Sequence, residues 1–298
     1  MKFYDDLCKD AQAWLHLFRH EQASQMSAGE AAVGYFQVMH QVPQPIPRHF
    51  EQGDEPINGL SPEEIVGLDM LRSEVEVGHS LLPRMSSQVR RKVHDPLFSD
   101  WRILHFHLGT TLDRRGFYNR TNHTAFAFLD KHTFRLIAVW PHHPRPYEDI
   151  RLLHILKRDW PDVMEQYQAK GVTKLFPMIQ TPEAIKMSRK KFMTMIDLDG
   201  VAYFPPGGGI VSNGYSSEAV MQHNYMANFT SELQHAWARK MKGQKASFHL
   251  LSPISYAIVD KQRQSWILEQ SHTEQRFISL SPAASTLVST IVSRLAYM

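Results

Sequence analysis

Disulfides and cysteine-based metal sites are closed to this chain, because it has one cysteine, Cys8. A lone thiol cannot pair within the molecule and fits a reducing compartment. Cys8 falls in a helical periodicity, so it reads as a buried structural thiol rather than a nucleophile. No apolar run approaches the length of a membrane span. The start, Met1-Lys2-Phe3-Tyr4, lacks the basic lead and apolar run of a signal peptide. These absences give the expectation of a cytoplasmic protein with no membrane association. Charge of one sign is scarce too: the net charge of +3 does not by itself demand a nucleic-acid partner. With 43% hydrophobic and 21% charged residues, the chain is suited to a packed core and not to general disorder.

Histidine is in excess. Of 17 histidines, eight lie between His94 and His154. Histidine titrates near neutral pH and is a common metal ligand, so this window is where chemistry is sought.

Periodicity predicts an α+β fold: N-terminal helices, a small antiparallel sheet, then a second α+β layer or domain. Phe3 to Gln22 recurs at helical spacing. Ser27 and Glu30 form a capping-box pattern that opens a second helix to about Met39. Ser61-Pro62-Glu63-Glu64 starts a third, with Ile65, Leu68, Leu71 and Val75 as its expected buried face and Gly78 as its stop. A shorter helix is expected from Ser80 to about Val93, carrying Arg84, Arg90, Arg91 and Lys92. The period then changes to strands at Trp101–Leu108, Thr124–Leu129 and Phe134–Trp140. Helices follow near Glu148–Arg158 and Asp162–Lys170. Met193–Leu198 and Val201–Phe204 flank Asp199-Gly200, a hairpin turn. A long helix over Ser216–Lys242, strands at Ser247–Leu251, Tyr256–Val259 and Trp266–Glu269, and a helix over Pro282–Leu295 complete the chain. The expected domains are residues 1–172, with the histidine-bearing sheet, and 173–298.

Four motifs carry possible chemistry. In Asp100-Trp101-Arg102-Ile103-Leu104-His105-Phe106-His107-Leu108-Gly109, strand alternation puts His105 and His107 on one face, projecting together into a cleft or solvent. Paired imidazoles can divide acid and base roles when their surroundings separate their pKa values. Arg114, Arg115, Asn119, Arg120, Thr121 and His123 form a basic connection before the next strand, and guanidinium donors suit phosphate oxygens. Trp140-Pro141-His142-His143-Pro144 ends the third strand and offers further imidazoles to the site. Gly207-Gly208-Gly209 matches neither the P-loop nor the dinucleotide-binding spacing and reads as a flexible hairpin loop. Three imidazoles from His105, His107 and His142 or His143 could also hold a catalytic zinc. No acidic ligand set stands out, so the expectation is no metal and no cofactor.

Helices leading into strands with His-x-His, a loop arginine and a terminal histidine resemble, over roughly residues 60–145, the small metal-independent RNases of the RelE, barnase and EndoU type. The Asp-Trp…His-x-His-Leu-Gly segment is also similar to one in certain bacterial proteins. The RNase resemblance implies a toxin-like effector that cleaves RNA and meets a protein partner or inhibitor. It implies His105 and His107 as acid and base and Arg120 as phosphate clamp, with His142 and His143 nearby. Arg114, Arg115, Asn119, Thr121 and His123 would bind substrate. Two other readings stay open: a metal-dependent hydrolase built on the histidine cluster, and a non-catalytic nucleic-acid- or protein-binding accessory of a bacterial defence or mobile-element system.

Overall fold

A computed structural model describes residues 2–91, 95–143, 146–176, 181–189, 195–242, 244–252, 255–270 and 275–296. Lys92, Val93, His94, Pro144 and Met193, which figured in the expectations above, lie outside the described residues. The chain is α+β, as the periodicity predicts. Among the described residues no helix is long and apolar enough to cross a membrane.

The elements run in chain order as follows. Helices α1 (Phe3–Leu17) and α2 (Ala28–Gln41) precede strand β1 (His49–Gln52) and helix α3 (Pro62–Val77). A short α4 (Pro96–Trp101) leads into β2 (Ile103–His107), β3 (His123–Leu129) and β4 (Thr133–Pro141). Next come α5 (Arg151–Asp159), α6 (Pro161–Glu165) and α7 (Pro182–Arg189), then the hairpin of β5 (Ile196–Leu198) and β6 (Val201–Tyr203). Helix α8 (Ser217–Lys240), strands β7 (Ala246–Ser252), β8 (Ser255–Asp260), β9 (Ser265–Gln270) and β10 (Gln275–Ser279), and helix α9 (Pro282–Ala296) follow.

Two compact units divide the chain: residues 40–218, and residues 1–39 with 219–298. The division does not fall at the expected 172/173. Its physical reason is core packing: Ile185, Ile196, Leu198 and Tyr203 share one apolar cluster with Ile103, Phe126 and Phe128. The β5–β6 ladder is separate from the histidine sheet, yet it belongs to the same core. Its turn is as predicted, with Asp199 and Gly200 both at positive φ, the mark of a primed hairpin turn.

In the contiguous unit, a four-stranded sheet has the order β1-β4-β3-β2. The meander β2-β3-β4 is antiparallel as expected, but β1 pairs parallel to β4, so the sheet is mixed. Strand β2 is an edge. One face carries Ile103, His105 and His107 beside their partners Phe128, Phe126 and Thr124. It grades from apolar, against Leu152 and Leu156 of α5, to polar at its histidine end. Among the described residues, 80–91 form not one helix but two single 3₁₀ turns, Leu82–Arg84 and Ser87–Arg90. Pro83 brings no N–H to an α-helical ladder there.

Helix α3 starts at Ser61 as predicted, there with a full capping box between Ser61 and Glu64, and ends at Gly78 in the left-handed conformation. Its buried face is as expected at Leu71 and Val75 and differs toward its start. Ile65 is exposed, and Glu64, Gly67, Leu71 and Val75 turn inward. Gly67 is required there: a Cβ would lie 1.8 Å from the Leu108 carbonyl oxygen.

In the discontinuous unit, β10-β9-β8-β7 form an antiparallel sheet whose edge strand β7 is covered by α1. Residues one helical turn apart cap its outward groups. Asp6 accepts from the Phe248 N–H at 3.1 Å, Asp10 accepts from the Leu250 N–H at 2.8 Å, and the Trp14 indole donates to the Leu250 carbonyl at 3.1 Å.

Candidate functional site

The site begins with a helix cap. Asp95 precedes Pro96, and its Oδ1 accepts from the N–H groups of Leu97 and Phe98 at 2.9 and 3.3 Å. This capping starts α4, which Arg102 ends in the left-handed conformation before β2 departs. The other carboxylate oxygen, Oδ2, lies 3.5 Å from Nδ1 of His105. A carboxylate facing Nδ1 favours the proton on that nitrogen and leaves Nε2 as a proton acceptor. The Tyr147 ring packs 5.4 Å from the His105 ring.

His105, Asp95, Arg120, His142, Tyr147 and Gln41 help to line one cavity of about 310 Å³. Arg120 is exposed and His142 half-buried, while His105 is buried except where it meets the cavity. The histidine strand, the loop arginine and the end of β4 therefore converge, as the meander predicts.

His107 departs from the expected projection into a cleft or solvent. It is 2% exposed, and neither ring nitrogen has a hydrogen-bond partner among the described residues. Its ring stands 6.2 Å from that of His105 and lies nearly parallel to that of His142 at 6.0 Å. Burial, with the electrostatic influence of His105, Arg120 and His142 added, pushes its pKa down to about 3. It is thus a neutral imidazole. The cause is tertiary: β2 is buried along its whole length, so alternation alone does not expose its histidine face.

The remaining sequence-selected residues separate from this cavity. His123 pairs in register with Pro141, on the face of the sheet opposite His107. There its N–H donates to Glu64 Oε1 at 2.7 Å, and its Nδ1 lies 3.1 Å from Oε2. Asn119 accepts from the Thr111 N–H and donates to Glu63, and Thr121 donates to the His123 carbonyl. Arg115 pairs with Asp113, and Arg114 is exposed. These residues shape the loop; among them only Arg120 lines the cavity. His143 lies beside His142, with ring centroids 4.8 Å apart.

Supporting residues beyond the sequence-selected set are Asp95, Glu64, Glu74 and Arg84. Arg84 is fully buried. It donates to both carboxylate oxygens of Glu74 and to the carbonyls of His107 and Gly109, with the Tyr118 ring 4.2 Å away. It thereby fixes the end of β2. The Asp95-Pro96 pair is a recognisable helix-start signal. Nothing local marks Arg84, because its partners come from other elements.

The glycine loop is packed against α4, and its N–H groups are taken up by carbonyls, so it is not an anion cradle. The N–H groups of Gly207, Gly208 and Gly209 donate to Asp100, Pro205 and Ser99 carbonyls. A Cβ on Gly207 would come within 2.3 Å of the Phe98 carbonyl oxygen. The loop is a packing device that holds the end of α4. Among the described residues, no three His, Cys, Asp or Glu side chains converge as metal ligands. In comparisons with known proteins, no family model, curated protein or solved structure matches the chain.

Proposed function

We propose that the cavity is the active site of a metal-independent ribonuclease. The observation that carries this reading is the Asp95–His105 pair facing a cavity shared with Arg120 and His142. It joins an oriented base, a second imidazole and an exposed guanidinium, the set needed for phosphodiester transesterification.

In this mechanism His105 Nε2 takes the proton of a ribose 2′-hydroxyl, and the 2′-oxygen attacks the adjacent phosphorus. The bond from phosphorus to the 5′-oxygen breaks, and His142 donates a proton to that oxygen. A 2′,3′-cyclic phosphate and a 5′-hydroxyl result. Arg120 stabilises the charge on the non-bridging oxygens. Asp95 stabilises the imidazolium that forms on His105. His107, neutral and sealed from solvent, positions His142 through their stacked rings. This differs from the acid/base pair of His105 and His107 suggested by the sequence.

The test is incubation of a mixed RNA pool with purified protein in the presence of a chelator, with end-group analysis. The expected result is 2′,3′-cyclic phosphate ends, lost on His105→Ala and on His142→Ala. Cleavage that requires added metal would favour a metal-dependent hydrolase, and RNA binding without cleavage would favour a binding module.

A further inference from the structure

A second cavity, of about 470 Å³, adjoins the first through the His142–His143 pair. Trp140, Pro141, Pro146 and Pro182 help to wall it, with Glu148, Asp149 and Arg151 at its polar side. The Trp140 indole has the Phe126 ring on one side, at 6.3 Å, and the Arg151 guanidinium 4.9 Å from its centroid. Arg151 is held in place by Asp149, whose two oxygens accept from Nε at 3.0 Å each. Yet the Arg151 side chain is 71% exposed, so the outer surface of this stack is open.

We infer that this cavity is a nucleobase subsite, which holds the base of a nucleotide next to the phosphate bound by Arg120. The inference rests on the ribonuclease reading for its place in the reaction, but base binding itself can be measured without turnover. Proline and indole walls suit a flat ring, and a guanidinium fixed over an indole offers a planar cationic surface on which a base stacks. Carboxylates accept hydrogen bonds and cannot donate them when ionised. Hydrogen bonding and the Asp149–Arg151 pair keep the Asp149 carboxyl below its usual range, against the opposing effect of burial. The Asp149 oxygens are taken up by Arg151, so the rim acceptor is the Glu148 carboxylate, which favours a base with an exocyclic amino group, such as adenine or cytosine, over uracil. The substrate class is thus single-stranded RNA with an amino-bearing base beside the scissile phosphate.

The experiment uses free adenosine and uridine, which lack the phosphate that Arg120 would hold, in ligand-observed NMR titrations of the full chain. Adenosine should bind more tightly than uridine, and Arg151→Ala should weaken adenosine roughly tenfold, the scale of one lost stacking partner. Arg151 is exposed, so this variant should fold; Trp140→Phe keeps a ring in place and should weaken binding less. The same variants are then assayed for RNA cleavage. Adenosine binding that depends on Arg151 supports the subsite even if no RNA is cleaved, and the ribonuclease reading then fails alone. Cleavage that depends on His105, with adenosine binding and KM unchanged by Arg151→Ala, overturns the subsite alone. Absence of nucleoside binding up to its solubility also overturns it.

Discussion

Asp95 caps α4 with one carboxylate oxygen and faces His105 Nδ1 with the other. The beginning of a helix and the electrostatic surroundings of an imidazole on the next strand thus depend on the same side chain. Asp95→Asn separates the two duties, because asparagine is as good a helix cap but carries no charge. The expected outcome is a melting temperature close to that of the parent and at least a tenfold slower RNA cleavage, on the order of a general acid–base contribution. Equal loss of fold and activity, measured by circular dichroism and turnover, would reject this division.

Arg120→Ala should slow cleavage without unfolding, since the side chain is exposed. Arg120→Lys should restore only part of the rate, because an ammonium lacks the planar fork that meets two phosphate oxygens. Full rescue by lysine in the same assay would show that charge alone suffices.

His107 sets an acid limit on stability. Its pKa in the folded chain, about 3, lies below the ordinary value of 6.5. Between these values the unfolded chain binds a proton that the folded chain refuses. Stability is therefore full above about pH 6.5 and falls as the pH drops toward 3. In His107→Leu the loss between pH 6.5 and 4.5 should shrink. Removing an unpartnered buried polar ring should also leave stability at pH 7 nearly unchanged or raised. Thermal melts of both chains across that range check the sign.

Glu64 behaves in the opposite sense. Burial disfavours its charge, but hydrogen bonds from the Ser61 and His123 N–H groups and the His123 ring prevail and pull its pKa down to about 2. Its contribution is present above the ordinary value near 4.5 and is lost as pH falls through about 2. Glu64→Ala removes the acceptor of the Ser61 N–H and strands buried donors of His123, so about 2 kcal/mol or more should be lost at pH 7. A urea titration that shows no change would remove Glu64 from the support of β3.

What the sequence made legible was local. The helix start at Ser61, the Asp199-Gly200 turn and the β2-β3-β4 meander each depend on residues a few positions apart, and each is present. The convergence of His105, Arg120 and His142 followed from the meander itself. Features built by distant segments were hidden. Alternation at Ile103–His107 assigned faces but could not show that both are covered. Helical periodicity in α3 pointed to Ile65, whereas Glu64 turns inward to meet His123, 59 residues away. The pairing of β1 with β4 joins His49 to Thr133, and no pattern in either segment specifies it. Glycines at 207–209 suggested freedom, but close approach to α4 is what they provide.

The carboxylates of α1 that cap β7 have a consequence for how the chain is made. Asp10 and Leu250 are 240 residues apart, so at ordinary rates of synthesis the helix waits on the order of ten seconds or more for its strand. The contiguous unit, 40–218, emerges whole in that interval and has its own core. It is placed to fold first, as an insertion within a unit whose two halves must find each other afterwards. Until they do, β7 is an uncapped edge with free N–H groups, a template for pairing with another chain. The vulnerable period in biogenesis thus belongs to the unit of 1–39 with 219–298, whereas every residue lining the histidine cavity is synthesised before β7.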